Sequence, residues 1–291
     1  MDDKIIVDNV SVRSVMTKST LPVGGFSVNP YVGCPHACKY CYASFMKRFT
    51  GHAEPWGTFL DVKRWEPIKN PHKYDGQRVV IGSVTDGYNP YEEKCCNTRK
   101  LLEELRGSTA EIMICTKSDL VLRDIDLLRQ FPKVTVSWSV NTLDEQFRAD
   151  MDKAVSIERR LKAMEQVYRS GIRTVCFVSP IFPGITDVMA IIERVKDFAD
   201  LVWLENLNLR GQFKGTIMNY IREKHPELVG LYEEIYNRKI NDYWQMLEKT
   251  TAEYAAQNGY PYRVNDLPYG RSEKGKPVIV NYFYHEKIKR G

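Results

Sequence analysis

Three cysteines within eight residues constrain this chain more than any other feature of its sequence. Cys34, Cys38 and Cys41 form a C-x3-C-x2-C pattern, and the aromatic residue Tyr40 directly precedes the third cysteine. Thiolates gathered in one short loop suit a cubane iron–sulfur cluster, whose irons are normally ligated by cysteine. A fully ligated [4Fe–4S] cluster takes four cysteines, so a loop with three leaves one iron open to a molecule from solution. The pattern therefore predicts a reactive cluster rather than a simple electron-transfer centre.

Two other interpretations of this loop stay open. His36 lies between the first two cysteines and could complete a Cys3His zinc site, although zinc loops seldom hold all their ligands in so short a stretch. Alternatively, the thiols are unrelated buried residues, because cysteine packs as a small hydrophobe. The sequence pattern around the loop favours the cluster over both.

The composition permits a chain with a full hydrophobic core. The 291 residues are 43% hydrophobic, enough for one large α/β domain. The chain starts with Asp2 and Asp3 rather than with the basic start and apolar run of a signal peptide, and no apolar stretch approaches the roughly 18 residues of a membrane span. We therefore expect a cytoplasmic protein with no membrane partner, whose seven cysteines serve metals or chemistry. The net charge of +5 permits an anionic partner without indicating one.

After the cysteine loop, short β-branched runs alternate with amphipathic segments of helical period. Such alternation is typical of βαβ units and a parallel sheet. The sequence predicts six strands: Phe26–Tyr31, Val79–Val84, Glu111–Thr116, Val134–Val140, Ile172–Ser179 and Leu201–Leu207. The helices predicted between them are Asn97–Leu105, Leu120–Gln130, Ser156–Ser170 and Val188–Phe198.

The chain is predicted to have three parts. Residues 1–25 form an N-terminal segment, residues 26–210 hold the six βα units, and residues 211–291 form a helical and β extension packed on the core. Residues 50–78 interrupt the core as an insertion rich in Gly, Pro, His and Trp. A loop of that length is usually functional or disordered, and we expect this one to be a lid.

The C-x3-C-x-aromatic-C loop resembles the signature of the radical S-adenosylmethionine (SAM) enzymes. The resemblance implies a [4Fe–4S] cluster whose open iron binds the amino and carboxylate groups of SAM, and an external one-electron reductant. One electron from the cluster then cleaves SAM to methionine and a 5′-deoxyadenosyl radical, which takes hydrogen from a substrate. The six βα units match that family's α/β core, a partial (β/α)6 TIM-type barrel with its chemistry at the carboxyl ends of the strands.

A closer resemblance is to the spore photoproduct lyase branch of that family. The Thr85-Asp86 turn, the pair Thr116-Lys117 and the stretch Ser137-Trp138-Ser139-Val140-Asn141 carry it, and the likeness spans roughly residues 26–226. The chain looks most like the lyase-like proteins called radical SAM mobile pair proteins. The resemblance implies a partner radical SAM protein and a nucleic-acid or nucleotide substrate, with a peptide or small metabolite as the alternative.

Polar side chains at the predicted strand ends, with one residue of the cysteine loop, are the candidates for holding SAM. They are Tyr40, Thr85, Asp86, Lys117, Ser137, Ser139, Asn141 and Arg160. By resemblance, Lys117 contacts the SAM carboxylate and Tyr40 the adenine. Ser137 and Ser139 lie on the ribose side. Each candidate also has a plain structural interpretation, such as turn formation for Thr85 and Asp86.

One departure from the lyase concerns the hydrogen donor. The lyase that repairs thymine dimers in spores uses a cysteine in the turn after the second strand, where residues 82–86 of this chain contain none. A serine O–H bond is too strong to replace a thiol S–H as hydrogen-atom donor, so repair by that route is not expected. Cys95 and Cys96 are the alternative donors, although they also fit ligands of a second cluster or ordinary residues at a helix start. Outside enzymes, the alternative class is a zinc-binding or redox-sensing module.

Overall fold

The computed structural model describes residues 5–19, 24–209, 211, 213–264 and 275–282. The chain divides into two compact units, each assembled from separate stretches of sequence. The first unit comprises Met1–Cys38, Ala43–Trp138 and Asp152–Thr174. The second unit comprises Lys39–Tyr42, Ser139–Met151 and Val175–Gly291.

The first unit is built on strands rich in Val, Ile and Thr, which suit buried pleated surfaces. Its strands are β1 (Ile6–Ser11), β2 (Met16–Lys18), β3 (Phe26–Val28), β4 (Tyr31–Val32), β5 (Phe59–Arg64), β6 (Arg78–Ile81), β7 (Glu111–Thr116) and β8 (Lys133–Ser139). Strands β3, β6, β7 and β8 pair in parallel in that order, and β2 pairs with β3 in the antiparallel sense. Ile81, Ile112 and Ile114 are fully buried on this sheet, and burying such a side chain contributes about 1.5–3 kcal/mol.

A second, three-stranded sheet in this unit has the order β1-β5-β4. Strand β5 pairs in parallel with β1 and antiparallel with β4, and Tyr31, Leu60 and Val62 form its buried apolar cluster. Strand β5 lies within residues 50–78, the insertion predicted as a lid. The part of the insertion around β5 is therefore an ordered strand, because the N-terminal segment supplies its pairing partner.

The helices follow the predicted pattern closely, with one correction. They are α1 (Glu92–Cys95), α2 (Asn97–Leu105), α3 (Ile125–Leu128), α4 (Glu145–Met151), α5 (Ile157–Arg169), α6 (Val188–Val195), α7 (Phe213–Lys224), α8 (Val229–Tyr236) and α9 (Asp242–Asn258). Helix α5 begins after Ser156, whose hydroxyl accepts the Arg159 backbone N–H at 3.3 Å. The helix predicted over Leu120–Gln130 is instead a 3-10 helix, Leu120–Asp124, followed by the single turn of α3.

The second unit contains an all-parallel sheet. Its strands are β9 (Arg173–Ile181), β10 (Leu201–Asn206), β11 (Tyr262–Val264) and β12 (Val278–Asn281). They pair in the order β9-β10-β12-β11. Strands buried on both faces read as continuous apolar runs, and Val202 and Leu204 of β10 are fully buried. Among the described residues, none of the helices combines the length and the apolar character needed to cross a bilayer.

Candidate cofactor-binding site

The cysteine loop follows β4 and begins at a close backbone contact. Gly33 precedes the first cysteine with a φ of +81°, and a Cβ at this position would lie 2.3 Å from the Phe59 carbonyl oxygen. Glycine alone accepts both conditions without strain. Cys34 is buried, and Cys38 and Cys41 are half-buried. The first of the three predicted cluster ligands therefore follows a backbone position that a larger residue cannot occupy.

Asp86 connects the cysteine loop to the carboxyl end of β7. Its Oδ2 lies 2.9 Å from His36 Nε2 in the loop and accepts the Lys117 backbone N–H at 2.7 Å. Its Oδ1 accepts the Thr116 hydroxyl at 2.8 Å and the Tyr88 backbone N–H at 2.9 Å. His36 and Asp86 are only 2% and 8% exposed, so water does not compete for this link.

The Asp86 carboxyl stays ionised although it is buried. Burial by itself raises the pKa of a carboxyl, but here the hydrogen bond from His36 and the backbone N–H groups of Lys117 and Tyr88 outweigh it. The pKa of Asp86 therefore lies below its ordinary value. Sequence reasoning placed Asp86 among the cofactor-binding residues, whereas the structure gives its carboxylate four protein donors. The Asp86 carboxylate therefore positions the cysteine loop, through His36, and the start of the segment after β7, through the Lys117 backbone.

The spacing of donor atoms bears on the zinc interpretation. With Zn–S bonds of about 2.3 Å, tetrahedral geometry places ligand sulfurs about 3.8 Å apart. The described residues contain one group with three His, Cys, Asp or Glu donor atoms within 4.8 Å of one another, formed by Asp8, His52 and Asp61. That group contains neither His36 nor a cysteine.

The turn after β6 contains Thr85 and is held in place by Asn29, a residue that sequence reasoning missed. Asn29 Oδ1 accepts the backbone N–H groups of Val84 and Thr85, at 2.9 and 3.1 Å. The hydroxyls of Ser27 and Ser83 are hydrogen-bonded at 2.6 Å. The Thr85 hydroxyl is buried and meets no hydrogen-bond partner among the described residues. A buried hydroxyl in that state costs free energy until a ligand bonds to it.

Strands β7 and β8 end side by side, and Cys115 lies opposite Ser137 in their parallel register. Ser137 is buried, and Lys117, just beyond β7, is half-buried. Successive side chains of a strand point to opposite faces. Trp138 accordingly points away from Ser137, and its indole N–H donates to the Ser118 carbonyl at 3.0 Å.

In the second unit, two amide side chains lie buried beyond β8 and at the end of β10. Asn141 is 1% exposed, and neither its side-chain nitrogen nor its oxygen meets a partner among the described residues. The Asn206 side-chain oxygen is also buried and has no hydrogen-bond partner among the described residues. The Thr186 hydroxyl donates to the Asn141 backbone carbonyl at 2.7 Å, which fixes the backbone at this point, and Ser139 at the end of β8 is half-buried. Unmatched buried amides fit a ligand that offers both donors and acceptors.

Two further predicted residues make contacts inside the protein. The Tyr40 ring packs edge-on against Phe182 with a centroid separation of 5.5 Å. Arg160, in α5, donates to Asp152 Oδ1 at 2.7 Å and to the Val155 carbonyl at 2.9 Å. The side chains of Arg160 and Asp152 are both fully buried, so the guanidinium charge is compensated within the first unit.

Sequence reasoning also missed a carboxyl group of the second unit. Glu205 Oε2 accepts the Ser179 hydroxyl at 2.6 Å, and burial raises the pKa of Glu205 above its ordinary value. On the same two strands, the rings of Phe177 and Trp203 lie 5.0 Å apart between centroids. The pattern that could have revealed this group is the acidic residue close to the end of a predicted apolar strand.

Cys95 and Cys96 lie at the junction of α1 and α2. Cys95 packs against the apolar cluster of the three-stranded sheet, which includes Tyr31, and burial raises the pKa of its thiol. Cys96 has a φ of +51°, and its sulfur lies 3.7 Å from Arg123 Nη1. Cys95 thus has a packing role and Cys96 a polar contact, and the role of either cysteine as hydrogen donor stays a prediction.

Comparison with known proteins places these features in context. The family model of the radical SAM superfamily matches residues 28–196. An uncharacterised protein of Methanocaldococcus jannaschii is 34% identical over 241 residues, covering 82% of this chain and 90% of that protein. A radical SAM Nalpha-GlyT isomerase of Pseudomonas phage M6 is 25% identical over 182 residues, covering 60% of this chain and 36% of the phage protein.

The fold itself has solved counterparts. A spore photoproduct lyase mutant with bound AdoMet and dinucleoside spore photoproduct gives a TM-score of 0.53 at 16% identity, over 76% of this chain and 66% of the lyase chain. That likeness, together with the parallel strands and intervening helices, confirms the α/β fold class predicted from the strand pattern.

Proposed function

The chain belongs to the radical SAM superfamily, and we propose from that premise that it generates a radical from SAM to act on a nucleotide-like substrate. Enzymes of this superfamily use a [4Fe–4S] cluster and SAM, so the predicted cofactors are confirmed and the zinc and redox-sensor alternatives lose their support. The observation that carries the proposal is the loop of Cys34, Cys38 and Cys41, which supplies three thiolates and leaves one iron for SAM.

The polar groups left unmatched in the protein fit the polar parts of SAM. In the first unit, the Thr85 hydroxyl is buried and ready to bond to a ligand, and the Lys117 ammonium is proposed to pair with the SAM carboxylate. In the second unit, the Asn141 amide offers a donor and an acceptor. Ser137 and Ser139 are proposed for the ribose and Tyr40 for the adenine, on the strength of the family resemblance.

When bound, the cluster and SAM supply a one-electron cleavage that yields a 5′-deoxyadenosyl radical for hydrogen abstraction. The protein's part is to hold these groups and to keep water out. Asp86 fixes His36 and the Lys117 backbone through its carboxylate, so the loop that carries the cysteines and the segment that carries the lysine share one anchor. Anchoring both to a buried anion fixes their separation before SAM binds.

Several observations support a nucleotide-like substrate. The lyase with the shared fold was solved with a dinucleoside photoproduct bound. Phe177 is half-buried, and aromatic rings of this kind can stack on a base. Glu205 and the Ser179 hydroxyl offer hydrogen bonds to the edge of a base. The absence of cysteine from residues 82–86 argues that the reaction returns hydrogen by another route than dimer repair.

The test is anaerobic. The protein is reconstituted with iron and sulfide, and its metal content is measured, with about four irons and four sulfides expected per chain. SAM and dithionite are then added and 5′-deoxyadenosine is quantified, with Cys41→Ala as the control. Product from the wild type alone supports the proposal. An intact cluster without product contradicts radical generation by this chain alone.

The substrate class is tested in the same assay. Short single-stranded DNA and RNA oligomers are added, beside peptides of matched length, and 5′-deoxyadenosine formation is compared. Stimulation by oligomers, with deuterium transfer from labelled oligomer into 5′-deoxyadenosine, supports the nucleotide assignment. Stimulation by peptides alone overturns it.

A further inference from the structure

The 3-10 helix that follows the third cysteine carries an exposed aromatic and basic row. It spans Tyr42–Phe49 and starts at the residue after Cys41. A 3-10 helix has three residues per turn, so residues three apart lie in one row. Phe45 and Arg48 form such a row, and both are exposed.

The row has a defined arrangement. The Arg48 guanidinium lies 5.5 Å from the centre of the Phe45 ring and 4.6 Å from that of Phe49, distances at which a cation and an aromatic face attract each other. Phe49 is 66% exposed and Phe45 is 45% exposed, whereas Ala43 on another side of the helix is buried. The helix therefore packs by its small residue and presents its large rings to solvent.

The charge of this stretch has one sign. Residues 43–49 contain two basic residues, Lys47 and Arg48, and no acidic residue. Exposed apolar patches of this kind on a protein surface mark interaction sites. A basic patch attracts an acidic partner and speeds its encounter.

We propose that Phe45, Arg48 and Phe49, the aromatic–basic face, form the docking surface for an acidic one-electron carrier protein that reduces the cluster. The inference rests on the proposed function, since that chemistry requires an electron from an external donor at every reductive cleavage. Electron transfer slows steeply with distance, so the donor must approach close to a cluster ligand. The helix begins at the residue after Cys41, and at a rise of about 2.0 Å per residue its eight residues extend only about 14 Å.

The size of the face suits this occupant. Electron-transfer encounters are weak and bury less than about 1,200 Å² in total, so one short helix with a few neighbouring residues is enough. Aromatic and basic side chains also bind single-stranded nucleic acid. The electron carrier is favoured because the face follows a cluster ligand, Cys41, in the chain. An electron donor has to approach the cluster, whereas a substrate has to approach SAM.

The experiment compares two reductants on the holoprotein. Dithionite is a small anion that needs no docking surface, whereas a bacterial flavodoxin with its NADPH-dependent reductase does. We expect Arg48→Glu and the double variant Phe45→Ser/Phe49→Ser to lower flavodoxin-driven 5′-deoxyadenosine formation by about tenfold, with the dithionite-driven rate unchanged. Flavodoxin binding measured by biolayer interferometry should weaken by a similar factor.

Lys162→Glu is the matched control, since it makes the same charge change at an exposed residue of α5 and should alter neither rate. Unchanged flavodoxin binding and turnover in the face variants would overturn the proposal. So would loss of DNA-oligomer binding with flavodoxin binding intact, which would assign the face to nucleic acid. Failure of the wild type with dithionite would instead contradict the proposed function, so the two ideas fail separately.

Discussion

His36 Nε2 lies 2.9 Å from Asp86 Oδ2, joining the interior of the cysteine loop to the turn after β6 across 50 residues of sequence. Both side chains are buried, and the same carboxylate accepts the Lys117 backbone N–H. One anion thus sets the position of two segments to which family resemblance assigns different tasks, cluster ligation and SAM binding.

Asp86→Asn should destabilise the protein and its cluster loop. The neutral amide accepts weaker hydrogen bonds than the carboxylate and cannot satisfy every donor, so we expect the free energy of unfolding to fall by about 3 kcal/mol. Urea denaturation measures this, and iron and sulfide analysis after reconstitution should show a lower cluster content. Asp126→Asn, at an exposed position of α3, should change stability by less than about 0.5 kcal/mol. Equal stability of the two variants would contradict the anchoring role.

Lys117→Ala should weaken SAM binding while the cluster still assembles. Losing one charge-assisted contact costs about 1.5–3 kcal/mol, or roughly 10- to 150-fold in affinity. Calorimetry of the reconstituted protein with SAM gives the affinity, and iron analysis gives the cluster content. An unchanged SAM affinity would remove Lys117 from the SAM site.

Asn141→Ala should leave the stability without SAM nearly unchanged and reduce the stabilisation that SAM provides. The Asn141 side chain is buried with no partner among the described residues, so removing it relieves a desolvation penalty of about 1–3 kcal/mol, offset in part by the lost packing. Thermal unfolding without SAM should therefore change little, whereas the increase in Tm produced by SAM should shrink. A variant that loses stability without SAM and keeps the full SAM-induced increase would contradict this assignment.

Glu205→Gln should make stability less dependent on pH. Because the pKa of Glu205 is raised in the folded state, its contribution to stability is fully present below the ordinary pKa of about 4.3 and is lost as pH rises through the raised folded-state pKa. The neutral glutamine still offers an oxygen to the Ser179 hydroxyl and suffers no such loss. Urea denaturation at about pH 4 and pH 8, on either side of the interval that begins at the ordinary pKa, should show the variant gaining stability relative to the wild type as pH rises, by up to about 1.4 kcal/mol per unit of raised pKa. If the free energy of unfolding of the variant and of the wild type changed equally with pH, the Glu205 carboxyl would not be desolvated.

Gly33→Ala should disrupt the start of the cysteine loop. Its Cβ would lie 2.3 Å from the Phe59 carbonyl in a backbone conformation with φ of +81°, so we expect a loss of about 3 kcal/mol or more together with reduced cluster content. Gly215→Ala in α7 is the matched control, because outside its own helix no atom of the described residues lies within 4 Å of the added Cβ. The control should be neutral or stabilising by up to about 1 kcal/mol. Normal cluster loading in the Gly33 variant would contradict the prediction.

Much of the fold could be predicted from local sequence pattern. Strand β7 and helix α2 have the predicted bounds, and α5 (Ile157–Arg169) is one residue shorter at each end than the predicted Ser156–Ser170. Local periodicity is enough to predict the bounds of such elements, because each buries one face regardless of which distant segments pack against it. Strand β5 was missed because its partner β1 lies about 50 residues away in the chain. No local pattern encodes a pairing of that kind.

By itself, the sequence determined the chemistry available to this protein: the three thiols at cluster spacing, the βαβ alternation and the polar residues near the strand ends. Residue types and short spacings are local properties, and they read directly from the chain. Tertiary structure alone decided what each polar group does. In the folded chain, Asp86 pairs with His36, and Arg160 pairs with Asp152. The Thr85 hydroxyl and the Asn141 side-chain amide have no hydrogen-bond partner among the described residues. Burial and hydrogen bonding depend on which distant segments meet, and that is settled only when the whole chain packs.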